Sequence, residues 1–273
     1  MKNRKLLTAA ALLAALTLAS CGKKIDLEGY AWNGTVSGTD SDGDRVTLTV
    51  AMLCTTDKAG TLFLGENYEG EPLTDGFALP FTYTWDDNQG TVTATYSNPE
   101  ENGVGTTTLS LPVSYTKTEG LRLDLRNLYK KGLVPLDVID FGLAKTEIYQ
   151  AGSLKETGWQ MEFEDGVLPD KANGAYFLYF QSATRGELHL TQGGFVGPIS
   201  WDVTYSYADG VGAATLTGRG IIEGDAFDAY FYLPDSQHLV FCDGESYMTM
   251  QRVTTQPEPN KRYPSTASVW FLP

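Results

Sequence analysis

The chain has 273 residues, 42% of them hydrophobic, which is enough for one large or two small domains and unlike a disordered polymer. Its 34 acidic residues outnumber its 20 basic ones, giving a formal net charge of −14. Such a body repels phosphates and anionic headgroups, which argues against a nucleic-acid partner and against charge-driven membrane binding.

The first element is a leader. Lys2, Arg4 and Lys5 precede a small apolar segment, Leu6 to Ser20, of signal-peptide length. A bilayer-spanning helix needs roughly 20 apolar residues, so this segment is too short to span. It closes on Leu18-Ala19-Ser20-Cys21, which resembles the lipobox of a bacterial lipoprotein. The resemblance implies cleavage after Ser20, a diacylglyceryl thioether on Cys21 and acylation of the new amine. Residues 1–20 are then a signal peptide and residues 21–26 a lipidated tether. The expected location is the cell envelope, anchored to the outer membrane, with its periplasmic or surface side left open by Lys23-Lys24-Ile25-Asp26-Leu27-Glu28. The mature chain would carry 17 cations against 34 acids, a formal charge of −17.

Period-2 alternation dominates the remainder, and no strong amphipathic helix follows the leader. Val46, Leu48, Val50 and Met52 alternate with Thr47, Thr49 and Ala51; Phe77, Leu79, Phe81, Tyr83 and Trp85 share a face opposite Thr82 and Thr84; Leu121, Leu123 and Leu125 alternate with Arg122 and Asp124. These runs predict strands near 30–37, 45–55, 60–66, 77–86, 90–97, 105–116, 120–127 and 140–149. A second set follows near 157–164, 174–183, 186–192, 198–208, 211–218, 221–233, 238–243 and 246–254.

The second set repeats the first. Gly29-Tyr30-Ala31-Trp32 returns as Thr157-Gly158-Trp159, and Thr82-Tyr83-Thr84-Trp85 as Thr204-Tyr205-Ser206-Tyr207. Leu109-Ser110-Leu111 through Leu121-Arg122-Leu123 returns as Phe227-Asp228-Ala229 through Leu239-Val240-Phe241. Ordered recurrence over such a length marks two copies of one unit. Eight strands with short connections predict antiparallel neighbours, and closing each sheet removes its two edges. The expected fold is therefore all-β: two tandem eight-stranded antiparallel up-and-down barrels, at 27–152 and 153–255, followed by a Pro-rich tail, 256–273. A β-sandwich is the alternative.

These features resemble the lipocalin-like domains of Bacteroidota lipoproteins, over both repeats. Lipocalins carry Gly-x-Trp on the first strand; here Gly29-Tyr30-Ala31-Trp32 and Gly158-Trp159 depart from that spacing. The resemblance implies that a basic residue of each last strand packs across that tryptophan, pairing Trp32 with Lys145 and Trp159 with Arg252 to close each barrel floor. Such contacts are worth roughly 0.5–2 kcal/mol.

Loop lengths point to a binding end. Tight turns at Asp57–Gly60, Asp86–Gly90 and Lys117–Gly120 share one end of the first repeat. Gly38–Asp44, Asn67–Gly76, Asn98–Gly105 and Leu128–Asp140 share the other, where long loops on a rigid scaffold carry function. Inward residues nearest that mouth are Phe77, Leu79, Tyr96 and Leu125. The apolar stretch Leu133-Val134-Pro135-Leu136 is placed to cover the opening. The alternative is that these side chains fill a solid core. Asp40, Asp42 and Asp44 around Gly43 read as a solvated acidic hairpin, lacking the full order and distal Glu of a calcium loop.

Reactive chemistry is sparse. With only His189 and His238, a three-histidine metal site is impossible, and no HExxH, paired CxxC, Walker loop or GxSxG occurs. Cys54 and Cys242, on different repeats, read as separate buried thiols. No metal, cofactor or catalytic residue is called for. The expectation is a non-enzymatic envelope protein, membrane-bound through acylated Cys21, holding a small apolar or amphipathic molecule in the first barrel. The alternative is an interaction protein with solid barrels that contacts a glycan or an envelope protein. The apolar end Val269-Trp270-Phe271-Leu272-Pro273 is expected to dock on the second barrel or between the two.

Overall fold

The computed structural model describes residues 25–71, 74–98, 105–163, 174–192, 195–220 and 222–254. The leader, Cys21 and the C-terminal segment lie outside these residues. The first repeat comprises β1 (Tyr30–Thr39), β2 (Arg45–Cys54), β3 (Ala59–Tyr68), β4 (Asp75–Asp86), β5 (Gln89–Asn98), β6 (Gly105–Thr116), β7 (Gly120–Leu123), a one-turn helix α1 (Arg126–Tyr129) and β8 (Phe141–Glu147). The second comprises β9 (Thr157–Phe163), β10 (Gly174–Phe180), β11 (Arg185–Gln192), β12 (Phe195–Ala208), β13 (Val211–Gly220), β14 (Ala226–Tyr232), β15 (His238–Cys242) and β16 (Tyr247–Val253). Each set closes into an antiparallel barrel in which sequence neighbours pair and the last strand meets the first.

Alternation explains the walls. On β4, Leu79, Phe81 and Tyr83 are buried between exposed Pro80, Thr82 and Thr84. On β13, Gly212, Ala214, Leu216 and Gly218 are buried between exposed neighbours. The apolar face turns into the barrel because only that face can escape water; the threonines keep theirs without leaving a polar group unpaired.

The repeat extends into the hydrogen bonds. Thr56 Oγ1 accepts from the N–H groups of Lys58 and Ala59, and Ser182 Oγ accepts from Thr184 and Arg185. The Tyr83 hydroxyl donates to the Thr56 carbonyl at 2.6 Å, and the Tyr205 hydroxyl to that of Ser182 at 2.7 Å. Ahead of each first strand a leucine plugs the floor: Leu27 is 1% exposed and Leu154 is 4%. The Leu27 carbonyl accepts from Tyr30 N–H, and the Leu154 carbonyl from Thr157 N–H. Trp85 Nε1–H holds the Ile25 carbonyl at 3.0 Å, while the Tyr207 hydroxyl accepts from Ala151 N–H at 3.1 Å.

One expected strand is cut short. The wall over 120–127 ends at Leu123, because the Asp124 carboxylate accepts from Arg126 N–H and its guanidinium, drawing the backbone into a turn that starts α1. Leu125 therefore precedes a helix instead of continuing a strand, yet its side chain remains fully buried.

The two barrels touch through a third apolar cluster. Ala31, Ala51, Leu53 and Phe63 on the outside of the first meet Tyr232, Val240, Cys242 and Tyr247 of the second. Two backbone bonds pin the contact: Tyr247 N–H to the Thr74 carbonyl at 2.7 Å and Gly76 N–H to the Glu245 carbonyl at 2.9 Å. Gly65 is required here, since a Cβ would lie 2.7 Å from the Tyr247 ring. Gly65→Val should lower stability by about 1–3 kcal/mol, the usual cost of overpacking. In a denaturant-unfolding double-mutant cycle this penalty should shrink when Tyr247 is also Ala; strictly additive effects would place the strain elsewhere.

Candidate functional site

Each tryptophan expected at a barrel floor lies in its own core, Trp32 at 1% and Trp159 at 0% exposure. Lys145 pairs in register with Trp32, and Arg252 with Trp159. Arg252 stands 5.7 Å from the Trp159 ring. Lys145 stands 5.7 Å from the Trp32 ring but 3.2 Å from that of Tyr30, so Tyr30 takes the main cation contact. The Trp159 indole donates to Thr157 Oγ1 at 3.0 Å. Trp32 Nε1 has no partner among the described residues, because Tyr30 occupies the place of Thr157.

At the opposite end of the first barrel the structure brings together Phe77, Leu79 and Leu125, all members of or packed against one continuous core. The side chain of Tyr96 lies outside the described residues. Leu128, Val134 and Leu136 of the insertion belong to the same core, at 0%, 3% and 7% exposure. The insertion thus seats its side chains within the barrel mouth, where the chain pattern had suggested only a cover. The backbone fixes it there: Leu125 N–H donates to the Val138 carbonyl, and Leu133 N–H to that of Leu128.

The first barrel closes narrowly. β1 pairs with β2 over its full length, Tyr30 to Thr39, but with β8 only from Tyr30 to Asn33. Above Asn33 the seam parts, and the insertion stands across the gap. Between them lies a groove of about 540 Å³, lined by Val36–Ser41 on one side and by Tyr129 and Pro135–Ile139 on the other. Tyr129 is 38% and Ile139 53% exposed; among the described residues only Tyr149 is also a large apolar side chain exposed to this degree. Asp40 and Asp137 add negative charge; among the described residues no cationic side chain lines the groove, although the Arg126 guanidinium stands near enough to interact with Asp137. Asp40 also organises the acidic hairpin, its carboxylate accepting from the N–H groups of Asp42 and Asp44. Chain pattern pointed to this end but missed Tyr129, Asp137 and Ile139, whose exposure depends on how the insertion folds.

A second recess of about 380 Å³ lies at the junction of the barrels, between Asn33, Thr35, Thr49 and the segment Thr146–Tyr149 on one side and Tyr232–Pro234 on the other. Neither recess lies inside a barrel wall.

The two histidines sit beside carboxylates, with His189 Nδ1 left buried and without a hydrogen-bond partner among the described residues. His189 Nε2 lies 3.1 Å from Glu187, which also pairs with Arg219, and His238 pairs with Asp235. Cys54 and Cys242 are free and buried, and burial pushes the Cys54 thiol up to about 12 and that of Cys242 well above its ordinary value. Buried neutral thiols are poor nucleophiles. Among the described residues no group of three or more His, Cys, Asp or Glu side chains is placed to hold a metal, and no helix is long and apolar enough to cross a membrane. The chain matches no family model, no curated protein and no solved structure.

One carboxyl at the mouth is perturbed. Glu66 continues the inward row of Leu62 and Leu64 and stands opposite Asp75 in the β3–β4 register. Burial, reinforced by the Asp75 charge, pushes its carboxyl from 4.5 up to about 7. A carboxyl whose folded value is raised favours the fold in its protonated form. That contribution is complete below its ordinary value of 4.5 and is lost as pH rises through about 7. Glu66→Gln should therefore flatten the decline in melting temperature across this window, as followed by circular dichroism. A slope identical to wild type would mean that Glu66 titrates as a solvated group.

Proposed function

We propose that the protein is a non-enzymatic, lipid-anchored interaction protein of the bacterial envelope, using two filled barrels as a rigid base and binding through the groove beside the first mouth. The observation that carries this reading is the seating of Leu128, Val134 and Leu136 in the mouth while Tyr129 and Ile139 stay exposed beside it. Side chains already packed at the barrel's own expense leave the interior little room. Exposed apolar groups rimmed by polar ones are the usual mark of a contact surface. The short acylated tether, with Cys21 only a few residues from the floor plug Leu27, would hold the floor toward the membrane and the groove away from it. The likeness to lipocalin-like lipoproteins agrees with this arrangement but does not choose between cavity and surface binding.

The anchor is tested by metabolic labelling with a fatty acid in a bacterial host. The wild-type chain should take up label and Cys21→Ala should not; an unlabelled wild type would remove the anchor and the envelope location together. The choice between surface and interior is tested by native mass spectrometry of the delipidated protein purified from its own host. The bare polypeptide mass is expected. A co-purifying small molecule that is lost in Phe77→Ala and Leu79→Ala would overturn surface binding in favour of a ligand held among Phe77, Leu79, Tyr96 and Leu125.

A further inference from the structure

The groove has a feature that side chains alone do not explain: one of its walls is the edge of a β-strand. From Gly34 to Thr39, β1 is paired with β2 on one side. On the other side β8 has already diverged, its last partner being Ala144 opposite Asn33. Gly34 sits at the point of divergence, where the two strands still approach closely: a Cβ there would run into the Gly142 carbonyl oxygen and lie 2.7 Å from the Phe141 ring. The insertion does not replace β8. Among the described residues it makes no backbone hydrogen bond to Gly34–Thr39; its Val138 carbonyl is turned to Leu125, and Pro135 has no N–H to give. The second barrel's seam is also short, ending where Gln160 meets Gln251, and its overhang on β9 among the described residues is Met161–Phe163.

An unpaired edge is a template for another strand. This one spans six residues, about 20 Å of extended chain, and borders the 540 Å³ groove from Val36 to Thr39. Its alternate side chains, Thr35, Ser37 and Thr39, point outward and are exposed, while Val36 and Gly38 are only half-buried, unlike the inward residues of β2. The opposite wall offers exposed apolar surface at Tyr129 and Ile139, and the charge at both walls is negative, from Asp40 and Asp137.

We propose that the edge Gly34–Thr39 receives an extended segment of a partner protein as an added antiparallel or parallel strand, with alternate apolar and basic side chains facing Tyr129, Ile139, Asp40 and Asp137. This rests on the reading of the groove as the contact surface and names the partner class. Backbone bonds to β1 supply affinity, and the two walls select side chains. The acidic walls select against a negatively charged segment.

The test uses the purified full chain and a fluorescent peptide of alternating lysine and valine, with two control peptides: one of glutamate and valine, and one of lysine and valine N-methylated at every amide, so that neither edge of the strand can donate. Fluorescence anisotropy should show binding of the first only. Hydrogen exchange should show slowed amides within Gly34–Thr39 on saturation. Asp137→Lys and Ile139→Asp, both at exposed positions, should each weaken binding by about tenfold or more. Equal binding of the N-methylated peptide, with unchanged exchange at Gly34–Thr39, would overturn strand addition while leaving the groove as the contact surface. Binding unaffected by Asp137→Lys and Ile139→Asp, or no binding by the lysine–valine peptide, would remove both.

Discussion

A rolled-up antiparallel sheet is a barrel only if its last strand reaches its first, and here that seam is short. β1 and β8 share four residue pairs, against ten between β1 and β2. Much of the first domain follows from this. The gap left above Asn33 must be filled or its apolar lining would meet water. The insertion between β7 and β8 supplies the filling: Leu136 rests against Gly38, and Leu128 and Val134 join the core below. The groove, its exposed tyrosine and isoleucine, and the edge of β1 left unpaired among the described residues all arise because the filling is made by a loop with a proline and a helical turn. A loop covers side chains well but does not complete a hydrogen-bonded ladder.

The duplication shows which parts of the unit the fold needs. A leucine plug before the first strand, a hydroxyl-bearing turn at the β2–β3 or β10–β11 connection, and a tyrosine tying that turn to the fourth strand recur in both copies. All three sit at the floor, where connections are tight and few conformations close the wall. The mouths diverge: the insertion of the first repeat has no counterpart between β14 and β15 or between β15 and β16, which are joined by short turns. Structure is thus repeated at one end and free to differ at the other, which is how a scaffold acquires a private surface without losing its core.

The strands were legible because a barrel wall imposes a strict two-residue period, and Thr-rich outer faces make that period plain in runs such as Phe81-Thr82-Tyr83-Thr84. The sorting of long and short connections to opposite ends was legible for the same reason, since up-and-down order follows from the strand count. Leu125 marks the limit of that period: it keeps the spacing of Leu121 and Leu123, and their burial, yet Asp124 has already turned the backbone. The period reports which side chains are buried, not which backbone carries them. The groove was illegible because Tyr129 and Ile139 are apolar residues in an apolar stretch, and only the folded insertion decides that they are left outside. The inter-barrel contact was illegible too, since Gly65 and Tyr247 are far apart in the chain and neither breaks its local pattern. Glu66, by contrast, could have been read: it falls on the inward row of β3 after Leu62 and Leu64, where a carboxyl is out of place.

An open strand edge is a hazard as well as a resource, because any exposed strand can pair with it and aggregate. This edge carries the usual protections in unusual form. Asp40 and Asp137 stand at its walls, so an acidic strand is disfavoured there, and the insertion flanks the edge, so that another sheet cannot approach it as across a flat open side. A packed barrel wall would add to the effect, since it presents its backbone groups already ordered and an incoming strand would bear most of the ordering cost itself. If the edge does receive a partner strand, negative charge, a narrow groove and a pre-ordered edge would together turn a defect of closure into a selective surface, without any residue that chemistry alone would mark as functional.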